Sequence, residues 1–158
     1  MCGIAGIINL KGESISTKNL SDMTDALSHR GPDGEGHWVD RNIAIGHRRL
    51  AIIDLSKNAN QPMNLNNNLV LSYNGEIYNC RELRKELMDQ DVSFVGHSDT
   101  EVLFYLLKRD GTKILSKLRG IFAFAFYQPR TNTLLLGRDA LGVKPLYFKT
   151  NEQGVVFG

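Results

Sequence analysis

The residue of greatest chemical interest is Cys2, directly after the initiator methionine. If Met1 is clipped, one residue carries both a thiol and a free α-amine. A free thiol titrates near about 8.5 and an α-amine near about 7.7–8.0. Near neutral pH part of the amine is therefore unprotonated and can serve as general base for its own thiol, directly or through a water, with no histidine required. Position alone favours a small apolar residue on a buried strand. Three further clusters change the balance. In Tyr73-Asn74-Gly75-Glu76-Ile77-Tyr78-Asn79, Asn-Gly after an apolar run is usually a hairpin turn. The same pair can aim a carboxamide and a backbone N–H at one spot as an oxyanion hole, each donor worth roughly 3 kcal/mol in a transition state, with Glu76 beside it to hold a donor on the substrate. Arg49 in His47-Arg48-Arg49-Leu50-Ala51-Ile52-Ile53-Asp54 can present a rigid fork to a carboxylate, or make a surface ion pair. In Ser98-Asp99-Thr100-Glu101, a capping box uses Ser98 and Glu101 and leaves Asp99 free for an ammonium. Together they describe a pocket for an α-amino acid with an amide side chain.

The elements that must carry these groups follow from periodicity. Ile4 to Leu10 reads as a short buried strand. Ser16 or Thr17 can cap a helix with Leu20, Met23 and Leu27 on one face. His29 to Gly36 holds three glycines and a proline, which marks either a surface turn or an ordered loop in close contact with another element. Strands are expected at Gly36 to Val39, Ala44 to Arg48 and Leu69 to Tyr73, with an Asn-rich loop at Asn64 to Asn68. Asn79 with Glu82, and Ser98 with Glu101, spell capping boxes for two helices, the first with Leu83 and Leu87 inward and the second closed by Gly111. In Ile121 to Tyr127, phenylalanines alternate with alanines, so that strand is covered on both faces and its alanine side admits a close neighbouring layer. Pro129 to Asn132 is a hairpin turn, and Leu134 to Gly137, Leu146 to Phe148 and Val155 to Phe157 are strands. Hairpin-linked strands with separated helices predict an α+β fold with antiparallel sheets.

Composition sets the class. The 158 residues suit one domain, and a 42% apolar fraction supports a core. The net charge of +2 comes from 19 basic and 17 acidic residues that are interspersed, a pattern that predicts no nucleic-acid partner. No apolar run approaches the ~20 residues of a membrane span, and the N-terminus lacks a basic n-region. Two cysteines, Cys2 and Cys80, make no disulfide framework, so the expected compartment is the reducing cytoplasm. Cys80, near a helix start, reads as a packed thiol. The spacing of His29, His37, His47 and His97 matches no metal-ligand pattern, and no metal is expected.

Cys2-Gly3-Ile4, His29-Arg30-Gly31-Pro32-Asp33-Gly34, Arg49-Leu50-Ala51-Ile52, Tyr73 to Asn79, Ser98 to Glu101, Phe122 to Ala125 and Arg138 to Tyr147 resemble, in order and across nearly the whole chain, the class II glutamine amidotransferases. Within the class the Arg-Gly-Pro-Asp-Gly loop and the Tyr-Asn-Gly-Glu-Ile-Tyr-Asn segment are most similar to the amino-terminal domain of glutamine-hydrolysing asparagine synthases. The resemblance implies a four-layer α/β/β/α sandwich of the N-terminal-nucleophile type. It implies Cys2 as nucleophile, Asn74 and Gly75 as oxyanion hole, and Arg49, Glu76 and Asp99 as ligands of L-glutamine. Leu50, Ala51, Ile52 and Ile53 would line the pocket, largely with backbone, and Arg30 would stand near Cys2 in support. This domain needs no cofactor. ATP, magnesium and aspartate belong to a second, ammonia-accepting synthetase domain whose Ser-Gly-Gly phosphate loop does not occur here. Residues 1–158 are thus expected to be the glutaminase part of a longer chain, since Val156-Phe157-Gly158 ends inside a strand. The acceptor and the oligomeric state stay open, a homodimer among them. A glutaminase serving a sugar or peptide acceptor, and a non-catalytic interaction module, are the alternatives.

Overall fold

A computed structural model describes residues 1–65 and 69–158; part of the expected Asn64 to Asn68 loop lies outside that range. The strands are β1 (Gly3–Asn9), β2 (Gly34–Asp40), β3 (Ile43–Arg49), β4 (Met63–Leu65), β5 (Leu69–Ile77), β6 (Gly120–Gln128), β7 (Thr133–Arg138), β8 (Phe148–Thr150) and β9 (Gly154–Phe157). The helices are α1 (Thr17–Ala26), α2 (Cys80–Met88) and α3 (Asp99–Asp110). One five-stranded sheet runs β2-β3-β1-β9-β8 and a four-stranded sheet runs β4-β5-β6-β7. Every pairing between these strands is antiparallel. Helix α1 packs on β1 and β3, whereas α3 packs on β5 and α2 packs on α3. The order of layers is therefore helix, sheet, sheet, helix, as expected. No described helix is long and apolar enough to cross a membrane.

Strand β6 shows why the layers stack. Phe122, Phe124 and Phe126 join Leu83, Leu87, Val102, Leu103, Leu106 and Leu107 in the core beneath α2 and α3. Ala123 and Ala125 face the other sheet, against Ile4, Ile43, Ile45 and Phe157. Small side chains on that face keep the sheets close, while aromatic bulk fills the wider gap under the helices. Strand β5 alternates in the same way. Tyr73 faces the helix layer, while Ser72 bonds His47 Nδ1 of β3 at 3.0 Å across the gap between the sheets. Period-two alternation then turns Asn74 to the same side as Ser72.

Several local expectations are corrected. Asn74-Gly75 is no turn: β5 runs on to Ile77, because β6 pairs with it throughout, Asn74 opposite Ala123 and Gly75 opposite Phe122. Ser16 occupies the N-cap of α1 without a side-chain bond. Asn79 does not cap α2 either: its carboxamide binds the Lys117 carbonyl and the Arg119 N–H instead. The Ser98 box is half made. Ser98 Oγ accepts from Glu101 N–H, but the Glu101 carboxylate turns to Val95 and Gly96 N–H at 2.8 Å each. The strand placed at Leu146 starts at Phe148, although Tyr147 and Gly158 exchange two backbone bonds. The Phe/Ala strand, the Pro129 turn and the Gly111 stop stand as expected.

His47 gives the fold a titratable seam. Burial, with the Arg49 charge second, pushes its pKa down to about 3, against near 6.5 in an unfolded chain. The native state thus refuses a proton that the unfolded chain accepts, so the stabilisation is complete above pH 6.5 and is lost as the pH falls toward 3. Between pH 7 and pH 5 the cost is roughly 2 kcal/mol. Urea unfolding of His47→Gln should show that much less pH dependence than the unsubstituted chain; identical slopes would refute it.

Candidate active site

The site lies where the N-terminal end of β1, the C-terminal ends of β3 and β5 and the N-terminus of α3 meet. Gly3 pairs with Arg48, which sets Cys2 beside Arg49 and Leu50. The Leu50 N–H donates to Cys2 Sγ at 3.3 Å, and the thiol points back to the Leu50 carbonyl at 3.7 Å. Burial pushes the Cys2 thiol up; the Leu50 main chain, the N-terminal ammonium and Arg49 pull it down, and Asp99 opposes them.

The His29 to Gly36 segment braces this wall. Arg30 Nε donates to the Cys2 carbonyl at 3.2 Å, the supporting contact expected of it. Gly31 lies so close to β3 that a Cβ would sit 2.3 Å from the Arg48 carbonyl carbon, so no larger residue fits. Asp33 N–H donates to Arg49 O, and its carboxylate accepts from Ala51 N–H at 2.8 Å. The loop is thus an ordered contact rather than a plain turn, and it fixes the main chain of 49–51.

A cavity of about 130 Å³ opens on this wall. Its lining includes all ten residues singled out from the sequence: Cys2, Arg49, Leu50, Ala51, Ile52, Ile53, Asn74, Gly75, Glu76 and Asp99. Arg49 is held by Asn60 Oδ1 at 2.7 Å and by the Asp54 carbonyl. No hydrogen bond ties the Asn74 carboxamide to another described side chain or main-chain group, though the residue is 5% exposed. Glu76 stands exposed at the rim. Asp99 is not free as expected. Its Oδ2 accepts from the Tyr73 hydroxyl at 2.7 Å and from Ile77 N–H at 3.1 Å. Burial pushes its carboxyl up, against those bonds, and no cation lies within ion-pair distance of it among the described residues. A buried carboxylate bonded but unpaired is suited to an ammonium.

Sequence reading missed Gln61, Ser98 and Thr100 as wall residues, and also Met1 and Lys144. Lys144 arrives from the segment after β7 with its ammonium against the Met1 thioether. Apart from Ser98, a capping residue by its pattern, none had a local signal, since each is brought in by tertiary packing.

Two antiparallel sheets face to face, with helices outside and a cysteine at the second position of the chain beside the cavity, are the architecture of the N-terminal-nucleophile class. The chain belongs to the glutamine amidotransferase domain family, whose model matches residues 1–158. Asparagine synthetase [glutamine-hydrolyzing] 3 of Bacillus subtilis is 39% identical over 162 residues, covering 100% of this chain and 26% of that protein. Asparagine synthetase B [glutamine-hydrolyzing] of Escherichia coli is 37% identical, covering 99% and 28%. The chain therefore spans about a quarter of these relatives. Among solved structures, the glutamine phosphoribosylpyrophosphate amidotransferase of B. subtilis superposes with a TM-score of 0.81 at 26% identity, over 99% of this chain and 41% of that one.

The two thiols differ in setting. Cys80 is pushed up to about 11 by burial, with Asp99 adding to it and only Arg84 opposing, which leaves about one thiolate in a thousand at pH 8. Iodoacetamide at pH 8 should alkylate Cys2 first, read by peptide mass mapping; Cys80 reacting first would contradict the assignment.

Proposed function

We propose that this domain hydrolyses L-glutamine to glutamate and ammonia, with Cys2 as nucleophile once Met1 is removed. The observation that carries this reading is the convergence of Cys2, Arg49, Asn74, Gly75, Glu76 and Asp99, read from four separate segments, on one cavity. Arg49 takes the α-carboxylate of glutamine, while Asp99, with Glu76 at the rim, takes the α-ammonium. The liberated α-amine of Cys2 accepts the thiol proton, and the sulfur attacks the side-chain amide carbon. Asn74 and Gly75 donate to the oxyanion of the tetrahedral adduct. The protonated amine gives its proton to the leaving nitrogen, ammonia departs, and a γ-glutamyl thioester remains. Water attacks the thioester and releases glutamate, returning the proton to the thiol.

The same proposal extends to the rest of the protein: this is the ammonia-supplying domain of a glutamine-hydrolysing asparagine synthase. Two relatives that bear that name, at 37% and 39% identity, support it over the likeness to the glutamine phosphoribosylpyrophosphate amidotransferase at 26%. Aspartate, ATP and magnesium would be handled outside this chain, in the cytoplasm.

The roles separate in kinetics. Cys2→Ala should remove hydrolysis while glutamine binding, followed by calorimetry, persists; substantial remaining glutaminase activity would sink the nucleophile assignment. Arg49→Ala should raise KM by about tenfold or more with a smaller change in kcat, since it removes a contact made equally in ground and transition states. An unchanged KM would count against its role.

A further inference from the structure

Gln61 touches none of the substrate groups in this scheme, yet it lies against the cavity and is 8% exposed. Its carboxamide is spread along the main chain of Tyr73. Oε1 accepts from Tyr73 N–H at 2.6 Å and Nε2 donates to the Tyr73 carbonyl at 3.1 Å. Nε2 also reaches Thr100 Oγ1, in the first turn of α3, at 3.4 Å.

The register explains this geometry. Met63 pairs with Leu71, Asn64 with Val70 and Leu65 with Leu69. Extended two residues, the same antiparallel register puts Gln61 opposite Tyr73. The ladder stops at Met63, short of that point. The side-chain amide of Gln61, one acceptor and one donor, makes the two bonds that a paired backbone residue would make. Gly36 in β2 lets it sit there: a Cβ at Gly36 would lie 2.0 Å from the Gln61 carbonyl oxygen. The side chain thus ties β5 to α3 at the residue just before Asn74, while the main-chain carbonyl of Gln61 lies against β2 of the other sheet.

We propose that Gln61 is a positioning residue for the oxyanion hole, completing the open edge of β5 at Tyr73 so that Asn74 and Gly75 are held in place. Without it, the Tyr73 N–H and carbonyl are buried with no partner on that edge, and the strand must move to satisfy them. The hole acts on the transition state, so its displacement falls on kcat. Arg49 hangs from β3, and Asp99 has Ile77 N–H as a second anchor, so KM moves less.

The inference rests on the glutaminase reading above, and the test separates the two. Steady-state glutamine hydrolysis is measured with the full chain, Met1 removed, for Gln61→Met, which keeps shape and loses both bonds, and for Gln61→Glu, which keeps the acceptor and loses the donor. In both, kcat should fall by about tenfold or more with KM within about threefold. Asn74→Ala should cost less in the Gln61→Met background than alone, since the hole is already displaced, whereas the Arg49→Ala effect should be unchanged. Should Gln61→Met fail to fold, Gln61→Glu carries the same comparison. An unsubstituted chain that releases no glutamate defeats the reading of the site and this proposal with it. An active chain whose variants keep kcat, lose only in KM, or multiply independently with Asn74→Ala overturns the proposal alone.

Discussion

The register between β1 and β3 is the constraint from which the chemistry follows. Gly3 opposite Arg48 and Ile4 opposite His47 place Cys2 against the end of β3, where Arg49 and Leu50 leave the sheet. A slip of β1 by one residue against β3 would turn Ile4 and Ile8 out of the gap between the sheets and carry Cys2 off the Leu50 N–H. The apolar pattern of β1 and β3 and the small-residue face of β6 therefore specify an active-site distance. What stabilises the sandwich and what places Cys2 are the same contacts.

The cavity is polar where a zwitterion would lie and is braced from behind. Arg49 is oriented by Asn60 and the Asp54 carbonyl, and Asp99 by Tyr73 and Ile77. Asp54 in turn accepts from Ser56 and His97 N–H, which ties the 50–56 segment to the turn before Asp99. Ser56 and the His97 main chain hold its carboxyl below the usual range. These cavity-facing groups are thus held by neighbours, an arrangement that would lower the ordering cost of binding a zwitterion there.

Much of this was legible in the sequence because it is written locally. The Phe/Ala alternation of 122–126 announces a strand between unequal layers, and Cys2, Arg49, Asn74, Gly75, Glu76 and Asp99 are residue types that chemistry selects. What was not legible depends on partners far along the chain. Asn74-Gly75 has the composition of a turn, and only pairing with β6 extends it. Asn79 and Glu101 have capping-box spacing, but Lys117, Arg119, Val95 and Gly96 claim their side chains. Gln61 carried no motif at all: its place follows from a ladder that ends at Met63, two residues short of the point where Gln61 faces Tyr73.

The central claim is that the sulfur of Cys2 attacks glutamine only when its own nitrogen is free. Rapid quenching with glutamine, followed by intact mass and peptide mapping, tests it on two forms of the chain, one beginning at Cys2 and one retaining Met1. The account predicts a γ-glutamyl adduct on Cys2 in the first form and none in the second. An adduct on Cys80, or equal adduct on Cys2 in the Met1-bearing form, would contradict it.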